Sequence, residues 1–71
     1  MTLPDAILDL YQRGLLSSSF KVADVYRHLR PVFAETYIRT ALANYAEGGN
    51  YTKSGNKPRF RRVARGTYEM I

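Results

Sequence analysis

The 71-residue chain has no cysteine, no tryptophan and a single histidine, His28. Without cysteine there is neither a disulfide framework nor a thiolate metal site, and one imidazole does not make a zinc centre by itself. Apolar runs are short and no basic-then-apolar leader opens the sequence, so neither a membrane span, which takes about 20 residues, nor a secretory signal is read here. Glycine is present, but Gly48-Gly49 lacks the strand and helix that a phosphate-cradling loop requires. No Ser-His-Asp set stands out, and His28 lies off the apolar stripe of its segment, where a solvated side chain is the plain reading. The expectation is a protein that is not an enzyme, uses no cofactor or metal, and is soluble and intracellular.

Acidic residues are also scarce, six against eleven Lys and Arg, for a net charge of +5. The imbalance is local. From Met1 to Asn50, Arg13, Lys21, Arg27, Arg30 and Arg39 are matched by Asp5, Asp9, Asp24, Glu35 and Glu47. From Tyr51 to Ile71, Lys53, Lys57, Arg59, Arg61, Arg62 and Arg65 face Glu69 alone, so this last segment holds the whole excess. A one-sign field of this kind points to a polyanionic partner or a solubility device. The interleaved Tyr51, Phe60 and Tyr68 argue that the segment folds.

What is present supports a packed core: hydrophobic content of 45%, with six Tyr and three Phe, is ample for one small domain over 1–71. Leu3, Ala6, Ile7, Leu10 and Tyr11 fall at helical spacing and predict a first helix from Leu3 to Arg13. Thr2 and Asp5 resemble a capping box around it, Pro4 suits its first turn, and Gly14 closes it. Leu15, Leu16 and the serines Ser17 to Ser19 read as a connector, with Phe20 in a short extended piece that a later hairpin could pair with. Val22, Val25, Tyr26 and Leu29 predict a second helix from Val22 to Arg30, stopped by Pro31.

Only Val32 and Phe33 separate that helix from a third, Ala34 to Glu47, so the two must turn sharply on each other. Ala34, Ile38, Ala41, Leu42 and Tyr45 form its buried stripe, and Gly48 and Gly49 end it. Its other side carries Thr36, Arg39, Thr40 and Ala43, with Tyr37 and Asn44 at the margins. This flank has little bulk, and a helix so faced fits a major groove about 12 Å wide. Asn50 to Pro58 is loop by composition. Arg59 to Ala64 and Thr67 to Ile71 flank Arg65-Gly66 as a hairpin, with Val63, Tyr68 and Met70 inward and Arg62, Thr67 and Glu69 on the other face. Phe60 and Val63 are out of phase, so either a bulge lies between them or one is exposed.

Three helices, the second and third joined by a tight turn, followed by a basic hairpin, give a fold class of α+β, mainly α, whose order resembles the winged helix-turn-helix. More narrowly, Phe20-Lys21-Val22-Ala23-Asp24-Val25-Tyr26, Thr36-Tyr37-Ile38-Arg39-Thr40 and Arg62-Val63-Ala64-Arg65-Gly66-Thr67-Tyr68 look like the small winged-helix domains attached to bacterial restriction endonucleases. Lys21 departs from the pattern, standing where a Ser or Thr cap would be expected. The resemblance implies a double-stranded DNA-binding module, a small transcriptional regulator or targeting subunit, in the cytoplasm and associated with the nucleoid.

Under this reading Thr36, Tyr37, Arg39, Thr40 and Asn44 face the bases, Arg39 first, because a guanidinium bonds the O6 and N7 of guanine together. The plain alternative for Arg39 is a surface pair with Glu35, four residues earlier, worth about 0.2–0.5 kcal/mol. Lys53, Lys57, Arg59, Arg61, Arg62 and Arg65 neutralise phosphates; their plain alternative is protection of a sheet edge. A homodimer or a larger protein complex would add affinity, with the first helix or Leu15-Leu16 as candidate pairing surfaces. Two other functions stay open: a protein-interaction domain on the same scaffold, offering Tyr37, Tyr51 or the hairpin to an acidic partner, and an RNA-binding domain.

Overall fold

Leu3, Ile7 and Leu10 repeat at helical spacing and are buried along one side of α1 (Leu3–Gln12). The helix closes with Arg13 as its last cap, one residue inside the predicted end. Gly14 at φ +76° follows, and its N–H bonds the Tyr11 carbonyl while that of Leu15 bonds the Leu10 carbonyl. These two bonds satisfy carbonyls that a helix end leaves open. The predicted capping box at the other end does not form. The Thr2 hydroxyl donates instead to the Asp5 carboxylate at 2.9 Å, so it caps no amide.

Leu16 turns inward and is buried, which removes it from the surface that the sequence offered for pairing, whereas Leu15 is exposed. The short extended piece around Phe20 is β1 (Ser19–Lys21), and α2 (Val22–Leu29) starts directly from it, one residue shorter than predicted at its far end. Lys21 is the residue before α2, and an ammonium cannot accept a bond from a helix amide. The cap is made from the other side: the Asp24 carboxylate accepts from the Lys21 backbone N–H at 2.9 Å.

After the turn at 30–34 comes α3 (Glu35–Tyr45), with Ala34 as its cap. Ile38, Ala41 and Leu42 are buried and Tyr45 is half-buried, as the stripe requires; Ala34 is exposed, because the helix begins one residue later than predicted. At its other end α3 stops two residues before Glu47. Ala46 is extended and bridges Phe60 in parallel, the Glu47 N–H bonds the Phe60 carbonyl at 3.0 Å, and the Arg59 N–H bonds the Tyr45 carbonyl at 2.8 Å. The backbone groups of a last helical turn are thus taken by the sheet, and neither Gly48 nor Gly49 terminates the helix.

Gly48, at φ +82°, leads into a fourth helix that composition does not announce, α4 (Asn50–Lys53), a single turn inside the predicted loop. It is tied down by tertiary contacts: the Thr52 hydroxyl donates to the Ala46 carbonyl at 2.9 Å, and the rings of Tyr45 and Tyr51 lie 4.5 Å apart. The hairpin is β2 (Phe60–Ala64) and β3 (Thr67–Met70), each a residue shorter than predicted, turning through Gly66 at φ +68°. β1 pairs with β3 on its open side, so the antiparallel sheet has the order β1-β3-β2.

The fold is therefore α+β, four helices with a three-stranded antiparallel sheet, over residues 2–71 of a computed structural model. Side chains from α1, α2, α3 and all three strands meet in one core, in which Phe20 and Phe60 cross edge to face at 6.2 Å. Such a pair adds about 0.5–1.5 kcal/mol beyond the area it buries. No helix among the described residues is long and apolar enough to cross a membrane.

Candidate nucleic-acid interface

The positive excess is carried by fewer groups than the sequence counts. Each of the six carboxylates lies in an ion pair: Asp9 with Arg13, Asp24 with Arg27, Glu35 with Arg39, Asp5 with Arg59, and both Glu47 and Glu69 with Arg61. Among the described residues, Lys21, Arg30, Lys53, Lys57, Arg62 and Arg65 make no ion pair. The basic segment thus divides. Arg59 is half-buried and reaches α1 through Asp5 at 3.1 Å, and Arg61 holds Glu47 and Glu69 at 3.2 Å each, so both join parts of the fold. Lys53, Lys57, Arg62 and Arg65 are exposed and carry the segment's open charge.

The clamps shift their own titrations. The Thr2 hydroxyl first, and then the Arg59 guanidinium, hold the Asp5 carboxyl below its ordinary value of 3.8. The Glu47 carboxylate, followed by Glu69, raises the Arg61 guanidinium above its ordinary value.

The outward flank of α3 is open. Thr36, Tyr37, Arg39, Thr40 and Ala43 are all exposed and Asn44 is half-buried. Tyr37 is 51% exposed and stacks on Phe33 with ring centroids 5.8 Å apart and planes 11° apart. Arg39 does make the helix-surface pair, its Nη2 donating to Glu35 Oε1 at 2.8 Å, which leaves its other N–H groups free to turn outward.

Arg62 is the surprise of the hairpin. The β2–β3 register pairs Arg62 with Tyr68 and then Ala64 with Thr67, so Val63 is the extra residue of a bulge. Val63 is therefore 47% exposed and not inward, and Arg62 shares the face of Tyr68 and not that of Glu69. That face looks toward the end of α3. Arg62 and Tyr68 line a cleft of about 170 Å³ together with Ala43, Ala46, Glu47, Gly48 and Gly49. Ala43 belongs to the outward flank of α3, one and two helical turns on from Thr40 and Thr36. One predicted phosphate-binding cation, Arg62, thus borders the same cleft as Ala43 at the far end of that flank, while Thr36, Tyr37, Arg39, Thr40 and Asn44 are not among its lining residues.

Sequence reasoning did not nominate Lys21. The β1–β3 register sets it opposite Thr67, the first residue after the Arg65-Gly66 turn, so Lys21 and Arg65 stand at the same end of the sheet. The available signal was a lysine in the residue before a helix, where its backbone and not its side chain serves the cap. Arg30, at the end of α2, is the other open cation outside the basic segment. Among the described residues no three His, Asp or Glu side chains gather as metal ligands would. Compared with protein-family models, with curated proteins and with solved structures, the chain matches none of them.

Proposed function

We propose that the chain is a double-stranded DNA-binding module of winged helix-turn-helix type, with α2 and α3 as the helix-turn-helix and the β2–β3 hairpin as the wing. α3 enters the major groove by its Thr36, Arg39, Thr40 and Ala43 flank, Tyr37 and Asn44 lie at the groove margins, and Arg62, Arg65, Lys53 and Lys57 meet phosphates. The observation that carries this reading is the shared cleft: unpaired Arg62 and Ala43, the last residue of the exposed flank, line one concavity, so open positive charge adjoins the far end of a helix face of little bulk. A polyanion with a groove is the partner such a surface fits. At 1.5 Å per residue α3 is about 16 Å long and reads a short site, so a homodimer on paired half-sites, or a larger complex, supplies further affinity. The expected role is a small regulator or targeting subunit, cytoplasmic and nucleoid-associated.

The test is fluorescence polarisation with labelled duplex DNA over a salt series, with single-stranded and structured RNA as competitors. Duplex binding that weakens linearly in log salt, and that RNA displaces poorly, supports the reading. Preferential displacement by RNA replaces it with RNA recognition. No duplex binding even at low salt turns attention to a protein partner. One observation favours that second reading: Val32, 78% exposed, follows α2 beside the surface stack of Phe33 on Tyr37, an apolar cluster suited to a protein surface.

A further inference from the structure

Within α3 there are two charged side chains, Glu35 and Arg39, and they are bonded to each other at 2.8 Å. They lie four residues apart at the start of the exposed flank, both largely open to solvent. The helix therefore brings no net charge to a groove, in contrast to the open cations of the hairpin. A surface built only to hold phosphates would gain from an unopposed Arg39 and would lose by carrying a carboxylate beside it, since a carboxylate repels the DNA backbone wherever it comes close.

We infer that Glu35 is a specificity-determining residue, and the inference rests on the DNA-binding reading above. Glu35 takes one N–H of the Arg39 guanidinium and fixes the direction of the fork, leaving the remaining donors to meet guanine O6 and N7. The same carboxylate keeps Arg39 from settling on a phosphate. It also is an acceptor of the kind that the cytosine N4 amine requires, so the pair together suits a G·C pair in the major groove. Affinity then comes mainly from the wing and discrimination mainly from the Glu35–Arg39 pair.

The experiment begins by selecting duplexes from a random pool with the wild-type protein. Polarisation titrations follow on the selected and a scrambled duplex, across a salt series, for wild type, E35Q, R39A and the double variant. The wild type is expected to select a site containing a G·C pair. E35Q is expected to bind the scrambled duplex about three- to tenfold more tightly, with a salt slope steeper by about one and a smaller ratio between the two duplexes. In the R39A background, E35Q is expected to change slope and ratio less than it does in the wild-type background, whereas a Glu35 that only stabilised the helix would leave both unchanged in either background. Thermal unfolding of each variant confirms that it is folded, as the exposure of both side chains leads one to expect. No duplex binding by the wild type at low salt overturns the DNA reading itself. Duplex binding without sequence preference, or with slope and ratio unchanged in E35Q, overturns the role of Glu35 alone.

Discussion

Arg62 stands directly opposite Tyr68 across the β2–β3 ladder, so an open guanidinium and a buried ring occupy one face of the sheet. Its neighbour Arg61 pairs with Glu69 in the register and bonds both Glu69 and Glu47. Two adjacent arginines of one strand are thereby given different work, one toward the cleft beside α3 and one within the fold.

The division predicts opposite phenotypes. Arg62→Ala should weaken binding to every duplex and reduce the salt slope by about 0.9, the release expected for one phosphate contact, with the unfolding midpoint unchanged. Arg61→Ala should lower the urea midpoint by removing both of its ion pairs, while the salt slope stays near that of the wild type. Polarisation titrations paired with urea unfolding separate the two. Equal loss of binding from both variants would show that the ion pairs of Arg61 do not keep it from phosphate.

Gly49 and Gly14 should differ sharply as targets for alanine. A Cβ on Gly49 would sit 2.2 Å from the Ala43 carbonyl oxygen and 2.4 Å from that of Asn44, both backbone atoms at the end of α3. The chain must part there to admit a methyl, which should cost about 1–3 kcal/mol, toward the upper end, and distort the cleft. Gly14 has nothing within 4 Å of its added Cβ, but its φ of +76° is unfavourable for alanine. Gly14→Ala should therefore cost only about 1–2 kcal/mol and leave DNA binding intact. Urea midpoints give the order, and polarisation shows whether Gly49→Ala also loses duplex affinity.

The main elements were legible because periodicity reports burial. Val22, Val25, Tyr26 and Leu29 announced α2, and Ile38, Ala41 and Leu42 announced the buried side of α3. Phe20 announced β1, a three-residue strand whose partner lies far along the chain. What escaped depends on contacts distant in sequence. The last turn of α3 gives way to the Ala46–Phe60 bridge, and α4 is held by Thr52 and Tyr51 against the end of α3, neither of which local composition records. The open and the engaged cations also look alike in sequence: only the fold brings Asp5 to Arg59, 54 residues away, and sets Glu47 beside Arg61. At the hairpin the phase conflict between Phe60 and Val63 was visible, and the bulge resolves it by turning Val63 out and Arg62 toward α3.

Acid should loosen the tie between α1 and the hairpin. The Asp5 carboxyl is held below 3.8 by the Thr2 hydroxyl and by Arg59. A carboxyl depressed in the folded state binds fewer protons there than in the unfolded chain, so its contribution is complete above the unfolded value and is lost as pH falls through the folded one. The expected outcome is that Asp5→Asn lowers the urea midpoint at pH 6, and that wild type and variant converge as pH falls below the ordinary carboxyl value of 3.8. A gap between them that holds constant through that fall would mean that Asp5 contributes nothing through its charge.

Lys21 offers the sharpest separation of side chain from backbone. Its N–H gives α2 its cap through Asp24 at 2.9 Å, whereas its ammonium is in no ion pair and stands, by register, at the sheet end that also bears Arg65. Lys21→Ala keeps the N–H and therefore the cap, so the unfolding midpoint should barely move. If this end of the sheet lies against the DNA backbone, the variant should bind all duplexes more weakly by the same factor, with the salt slope reduced by about 0.9. The effect should add to that of Arg65→Ala, because each side chain would release its own counterion: the double variant should lose about 1.8 from the slope. Asp24→Ala is the complementary control, removing the cap at a cost of about 0.5–2 kcal/mol while leaving the ammonium in place. A Lys21→Ala slope equal to that of the wild type would remove this residue, and with it the β1 end of the sheet, from the interface.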